Sequence, residues 1–241
     1  MKYNKLEAEN TLKQRWKVIL AVIIFDLILT GFILLFGNAN VFLAINRGLQ
    51  LSQLDAAIAL ISNFGVIILL AGGVLIFTLD YKYRSIGALT LMFTGFWLAI
   101  FLGYSLKTYF DILRPYYQLV HTRILIYTSP DLGGSFPSSH AIIAFFLWTI
   151  IAVKAKKYSI PTLIAASLTS FGRIYVGVHY PLDVTVGILI GISVGVLVLA
   201  VELIAQKLNN RSGVREGDNN PLLNFTPTIY TMVKDSTRFY L

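Results

Sequence analysis

No cysteine occurs among the 241 residues, and only three histidines do. The first absence excludes a disulfide framework and any zinc site built on thiolates. The second leaves too few soft ligands to expect a structural metal. No metal or cofactor is therefore predicted. Charge is also scarce: Asp, Glu, Lys and Arg make up 13% of the chain, 56% is hydrophobic and mean hydropathy is +0.70, whereas soluble domains are about one quarter charged. Such a chain belongs in a bilayer. With 12 acidic residues against 20 basic ones the net charge is +8. In a membrane protein that excess is read as basic loops on anionic lipid head groups, not as a nucleic-acid surface.

Six apolar segments are present, at 18–36, 64–79, 86–106, 141–153, 161–174 and 182–204. They predict an all-α, polytopic bundle of six transmembrane helices. Several fall short of the roughly 20 residues a span needs, so polar residues flanking them are expected inside the membrane or just above it. The first follows a basic stretch, and Gly37-Asn38-Ala39 faintly resembles a signal-peptidase site. Its apolar run exceeds the roughly 7 to 15 residues of a signal peptide, so it is read as a retained anchor. The expected organisation is a basic N-terminus at 1–17, a membrane domain at 18–208 and a polar tail at 209–241. Oligomeric state is not legible.

Basic residues orient the bundle, because cytoplasmic loops hold the excess of Lys and Arg. With the N-terminus inside, the cytoplasmic segments hold the basic residues at 2, 5, 13, 15, 17, 82, 84, 154, 156, 157, 207, 211, 215, 234 and 238. Arg47, Lys107, Arg114, Arg123 and Arg173 fall outside. Both termini are therefore expected in the cytoplasm. The long outer connection from Lys107 to Ser139 is rich in Tyr, Pro, Gly and Ser, and loops of such length are commonly functional.

Three polar clusters share the outer side. Lys107 and Arg114 are seven apart, about two helical turns, so one helical face would turn both cations toward one anion. Pro115 ends that helix, and Asp111 is placed to pair with either cation. Alone, this is equally a basic collar snorkelling to head groups. Gly133 to His140 runs into an apolar helix, with serines to cap its first N–H groups and a helix N-terminus that suits a phosphate. Alone, it is an ordinary cap beside an interfacial histidine. His179 and Asp183, four apart around Pro181, share a face at the mouth of the last helix, following Arg173. There the carboxylate accepts one imidazole N–H and frees the other nitrogen to attack. Alone, that is an interfacial histidine with a capping aspartate.

Order and spacing together are more specific than any one cluster. Lys107-x6-Arg114-Pro115, Pro137-Ser138-Ser139-His140 and Gly172-Arg173-x5-His179-x3-Asp183 resemble the type 2 phosphatidic acid phosphatase (PAP2) superfamily, whose pattern is K-x6-RP, PSGH and SR-x5-H-x3-D. The resemblance spans roughly 86–204 and implies the helical core that this superfamily shares with vanadium haloperoxidases. It also implies roles: His179 as nucleophile, Asp183 as its orienting partner, and His140 as general acid. Lys107, Arg114 and Arg173, with Ser138 and the Ser139 amide, would hold the phosphoryl oxygens. Three cations would then do what Mg²⁺ does elsewhere.

Two positions depart from the pattern. Ser139 stands where the family has glycine, which is harmless if the backbone there does not need a positive φ. Gly172 stands where the family has serine, removing a hydroxyl but no charge. The implied substrate is a lipid phosphate or diphosphate. An isoprenoid carrier diphosphate such as undecaprenyl or dolichyl diphosphate is the first choice, with phosphatidic acid and phosphatidylglycerol phosphate as alternatives. A lipid phosphotransferase, a haloperoxidase and a non-catalytic scaffold are the rival readings. Six spans argue against the haloperoxidase, and two histidines joined by an aspartate argue against the scaffold.

Overall fold

A computed structural model describes residues 2–49, 52–125 and 133–211. The described residues form no strand. The helices are α1 (Lys2–Phe36), α2 (Asn38–Gly48), α3 (Asp55–Leu79), α4 (Ile86–Phe110), α5 (Pro115–Gln118), α6 (Ser139–Lys154), α7 (Ser159–Tyr175) and α8 (Pro181–Arg211). The body extends to Leu199, and a second unit begins at Ala200. Most of the tail expected at 209–241 lies outside the described residues.

Each of the six apolar segments falls within a helix of this all-α bundle, and as their lengths suggested not all are full-length, so the count of six spans is not exact. Four helices are long and apolar enough to cross a bilayer, within α1, α3, α4 and α8. Helices α6 and α7 have 16 and 17 residues. The reason for the short α6 lies in its surroundings: residues 141–153 are all buried, so it forms the axis of the bundle and meets protein instead of lipid. Large apolar side chains are exposed instead on the outer helices, Phe25 and Ile28 on α1 and Trp97 and Phe101 on α4. Such a surface is stable in hydrocarbon and not in water.

Small residues bring the helices together. Gly187, Gly191 and Gly195 repeat every four residues along one face of α8, and a Cβ on each would lie 2.9, 2.2 and 2.7 Å from atoms of α6 or of Ser138 just before it. On α3, a Cβ at Gly65 would collide with Thr169 of α7. In a membrane, where lipid tails are as apolar as leucine, close backbone approach through small residues is a main source of helix association.

Helix ends divide by side. Arg15 donates to the Val153 carbonyl at the C-terminal end of α6, and Tyr158, just beyond α6, donates to Asp80 at 2.6 Å. The opposite end gathers α2, α5, the start of α6 and the α7–α8 turn. There Asn38 of α2 accepts from the Leu182 N–H at 3.0 Å, capping the first turn of α8.

Candidate active site

The three clusters converge at that end. Helix α4 stops at Phe110, because Asp111 adopts a left-handed conformation at φ 42° and returns its N–H to the Lys107 carbonyl. Arg114 is therefore not on the helix that carries Lys107, which corrects the shared-face expectation. It is the extended N-cap of α5, with Pro115 in the first position. Asp111 is exposed, and among the described residues it pairs with neither cation. Lys107 donates instead to the Gly134 and Ser135 carbonyls at 2.7 and 3.1 Å, which keeps one of its three N–H donors in hand. Arg114 donates to the Val178 carbonyl at 3.2 Å.

Ser138 is the N-cap of α6, but its hydroxyl does not cap the helix. That corrects the capping expectation. The hydroxyl is buried without a partner, while the Ser138 N–H donates to the Asp183 carbonyl at 2.9 Å. The first intrahelical bond runs from Ile142 to Ser138, so the N–H groups of Ser139, His140 and Ala141 lack intrahelical acceptors, as at any helix start. Among the described residues, positive φ outside glycine occurs only at Asp111 and His121. The condition set for Ser139 is therefore met. Room for its side chain comes from Gly103 of α4, where a Cβ would sit 3.0 Å from the Ser139 Oγ.

His179 lies two residues before α8, not on it. Asp183, in the first turn, accepts from the Tyr180 N–H at 2.8 Å and faces His179 Nδ1 at 3.3 Å through the same oxygen. This resembles a capping box with a carboxylate at the third helical position. The Ser135 hydroxyl is also within hydrogen-bond reach of Asp183. Gly177 makes the turn with φ +91°, and a Cβ there would lie 2.3 Å from the Arg123 carbonyl oxygen. Both the conformation and the close approach require glycine.

Lys107, Arg114, Arg173, His179 and Asp183 are each no more than 6% exposed. The three cations lie within electrostatic reach of one another, of His140 and of His179. Among the described residues none of them forms an ion pair with a carboxylate, and Asp183 is the one acid near them. Burial, then the cations, hold the His179 imidazole well below its ordinary value, so it is neutral at physiological pH. Three clustered cations around a neutral imidazole, at the open start of a helix, have the electrostatic character of an anion site.

Sequence reasoning missed a clasp around this site. Arg123 pairs with both oxygens of Asp55 at 2.7 and 2.8 Å and lies over the Tyr175 ring, whose hydroxyl donates to Asp55 at 2.6 Å. Asn46 of α2 accepts from the Arg123 N–H and donates to the carbonyls of Arg123 and Tyr175, each at 2.9 Å. The signal available was Arg123 itself, a basic residue on the basic-poor side. Exposed His121 sits in a turn at φ 63°.

Fold and site together define a membrane phosphatase. Residues 88–206 match the model of the PAP2 superfamily. A relative from Sulfolobus acidocaldarius named undecaprenyl-diphosphatase is 34% identical over 169 residues, covering 68% of this chain and 78% of that one. The chain belongs to the PAP2 superfamily. Among solved structures, LpxE of Aquifex aeolicus superposes with a TM-score of 0.59 at 30% identity, covering 68% of this chain and 94% of that one. The phosphatidylglycerolphosphate phosphatase of Bacillus subtilis shares the fold, with a TM-score of 0.53 at 23% identity, covering 76% of this chain and 94% of that one.

Proposed function

We propose that this phosphatase hydrolyses an isoprenoid carrier diphosphate such as undecaprenyl or dolichyl diphosphate, through a phosphohistidine on His179. The observation that carries the reading is the set of three unpaired cations around neutral His179. A diphosphate brings the negative charge that this cluster lacks. The name of the Sulfolobus relative supports the substrate class. So does an apolar cavity of about 800 Å³ whose lining includes Phe25, Phe145, Ile174, Val184 and Ile188. It adjoins the site through Ile174 and Val184, neighbours of Arg173 and Asp183, and suits a hydrocarbon tail.

In the first step the His179 nitrogen not facing Asp183 attacks the terminal phosphorus. The bond to the bridging oxygen breaks, and His140 gives that oxygen a proton. The substrate's own charge offsets the cations and lets His140 carry this proton. In the second step water, deprotonated by His140, attacks the phosphohistidine and releases inorganic phosphate. Lys107, Arg114 and Arg173, with the Ser138 hydroxyl and the Ser139 amide, neutralise the spreading charge.

Phosphate release from purified protein should be measured on undecaprenyl diphosphate, dolichyl diphosphate, phosphatidic acid, phosphatidylglycerol phosphate and a soluble monoester, each with excess EDTA. Release fastest from an isoprenoid diphosphate and unaffected by EDTA is expected. Preference for a glycerolipid, or activity lost to EDTA and restored by Mg²⁺, would refute this reading.

We also place the site on the non-cytoplasmic face. The division of helix ends supports this: Arg15, Lys154, Lys156 and Lys157 gather at the end opposite the site, where positive charge is retained inside. In this cysteine-free chain, His121→Cys and Lys156→Cys, both at exposed positions, can be probed with an impermeant thiol reagent on intact cells. Labelling is expected at 121 alone; labelling at 156 alone would invert the orientation.

A further inference from the structure

Arg173 is 2% exposed, and a guanidinium so deeply buried needs acceptors to hold it. Among the described residues the acceptors of its NH1 come from α3: the Ser62 hydroxyl at 3.2 Å, the Ser62 carbonyl at 3.4 Å and the Asn63 side-chain oxygen at 3.3 Å. Its Nε is buried without a partner, a donor left for an incoming oxygen. The same short stretch of α3 lies beside the other half of the site, because the Asn63 backbone is within electrostatic reach of the His140 ring.

Gly172, just before Arg173, is where this chain lacks the serine of the family pattern. A Cβ at Gly172 would lie 2.8 Å from the Ser62 Cβ and 3.3 Å from the Ser62 Oγ. Ser62 itself is fully buried. It therefore fills the space that a side chain at 172 would need, and its hydroxyl lies against the arginine.

We propose that Ser62 is a positioning residue for the phosphate site, supplying from α3 the hydroxyl that position 172 has lost. Ser62 and Asn63 together fix the aim of Arg173. The two positions form one unit: a serine at either is accommodated only when the other is small. This inference rests on the phosphatase reading for its catalytic consequence but not for its geometry.

The test compares the parent with Ser62→Ala, Ser62→Gly, Gly172→Ser and the double variant Ser62→Gly/Gly172→Ser. Two quantities are read: kcat and KM on whichever substrate of the panel turns over fastest, and the rise in Tm that inorganic phosphate produces. Ser62→Ala, which keeps the Cβ, should lower kcat about 10-fold and shrink the phosphate-induced rise while leaving the ligand-free Tm nearly unchanged. A purely structural serine would move the ligand-free Tm instead. Gly172→Ser should cost about 10²-fold, the scale of a small misplacement at a reacting centre. The double variant should return to within about 3-fold of the parent, a coupling expected only of residues in contact. Losses in the double variant equal to the product of the single losses would overturn the proposal, as would a Ser62→Ala protein with parental kcat and phosphate response. If Gly172→Ser does not fold, Ser62→Ala and the double variant still decide. If the parent releases no phosphate from any substrate, the phosphatase reading fails, and the phosphate-induced Tm rise alone judges the positioning role.

Discussion

His179→Ala is expected to abolish turnover and any acid-labile phosphoenzyme, a loss on the order of 10⁶-fold, as when a covalent nucleophile is removed. Among the described residues no other imidazole faces a carboxylate as His179 faces Asp183 at 3.3 Å. His140→Ala removes only the proton donor to the leaving oxygen. It should lose roughly 10² to 10⁴-fold with a lipid substrate and far less with a nitrophenyl phosphate, whose leaving group needs no proton. A phosphoenzyme surviving in His179→Ala, or equal damage to His140→Ala with both leaving groups, would contradict these roles. In the proposed mechanism the neutral form of His179 attacks, and burial with the nearby cations depresses its proton affinity. The acid limb of kcat/KM set by this group should therefore fall below about pH 6.5, the ordinary imidazole value. Stability follows the same sign. Below about pH 6.5 the unfolded chain takes up a proton that folded His179 refuses. This group therefore lowers stability progressively as pH falls from there toward its folded value.

Gly191→Ala is expected to damage the fold severely. Its Cβ would lie 2.2 Å from the Ile142 carbonyl oxygen and 3.0 Å from both the Ile142 carbonyl carbon and the Phe146 nitrogen, all backbone atoms of α6. No rotamer relieves such a contact. Either α8 withdraws or α6 shifts, and α6 carries Ser139 and His140 at its start. Overpacking typically costs 1–3 kcal/mol, and here about 3 kcal/mol or more is expected against a total stability of roughly 5–15 kcal/mol. Gly72→Ala is the matched control, because no atom lies within 4 Å of its Cβ. It should be neutral or stabilising by up to about 1 kcal/mol, as for alanine replacing glycine within a helix. The two Tm values, measured in the same detergent, should separate widely; equal values would refute the backbone-contact account.

The convergence of the candidate residues was legible because their types, order and spacing follow a family pattern: the cations, the two histidines and Asp183 lie near one another at one end of the bundle. How they meet was less legible. Proline at 115 signalled a stop, yet α4 ends earlier because Asp111 turns left-handed, and only the chain's path afterward returns Arg114 to Lys107. The spacing of four between His179 and Asp183 predicted their contact correctly, although His179 lies in the turn before the helix. Asn46 with Arg123 and Ser62 with Arg173 were not readable at all. They join positions 77 and 111 residues apart, and one sequence holds no record of which distant pairs meet. The glycines at 187, 191 and 195 differ in kind. Their period of four was in plain view, but in an apolar run glycine signals packing only once its partner is known.

The short central helix also ties the enzyme to its solvent. At about 1.5 Å per residue, the 16 residues of α6 rise roughly 24 Å, against a hydrocarbon thickness of about 30 Å. With its C-terminal end level with one interface, its N-terminal end stops some 6 Å short of the other. A phosphorus held at the proposed site would then sit beneath the plane of the neighbouring head groups. Turnover at that site would require a lipid to be drawn inward by that distance or the membrane to dimple toward the protein. Hydrophobic mismatch, a fraction of a kcal/mol per ångström, thus enters the free energy of substrate capture, and a thinner bilayer lowers it.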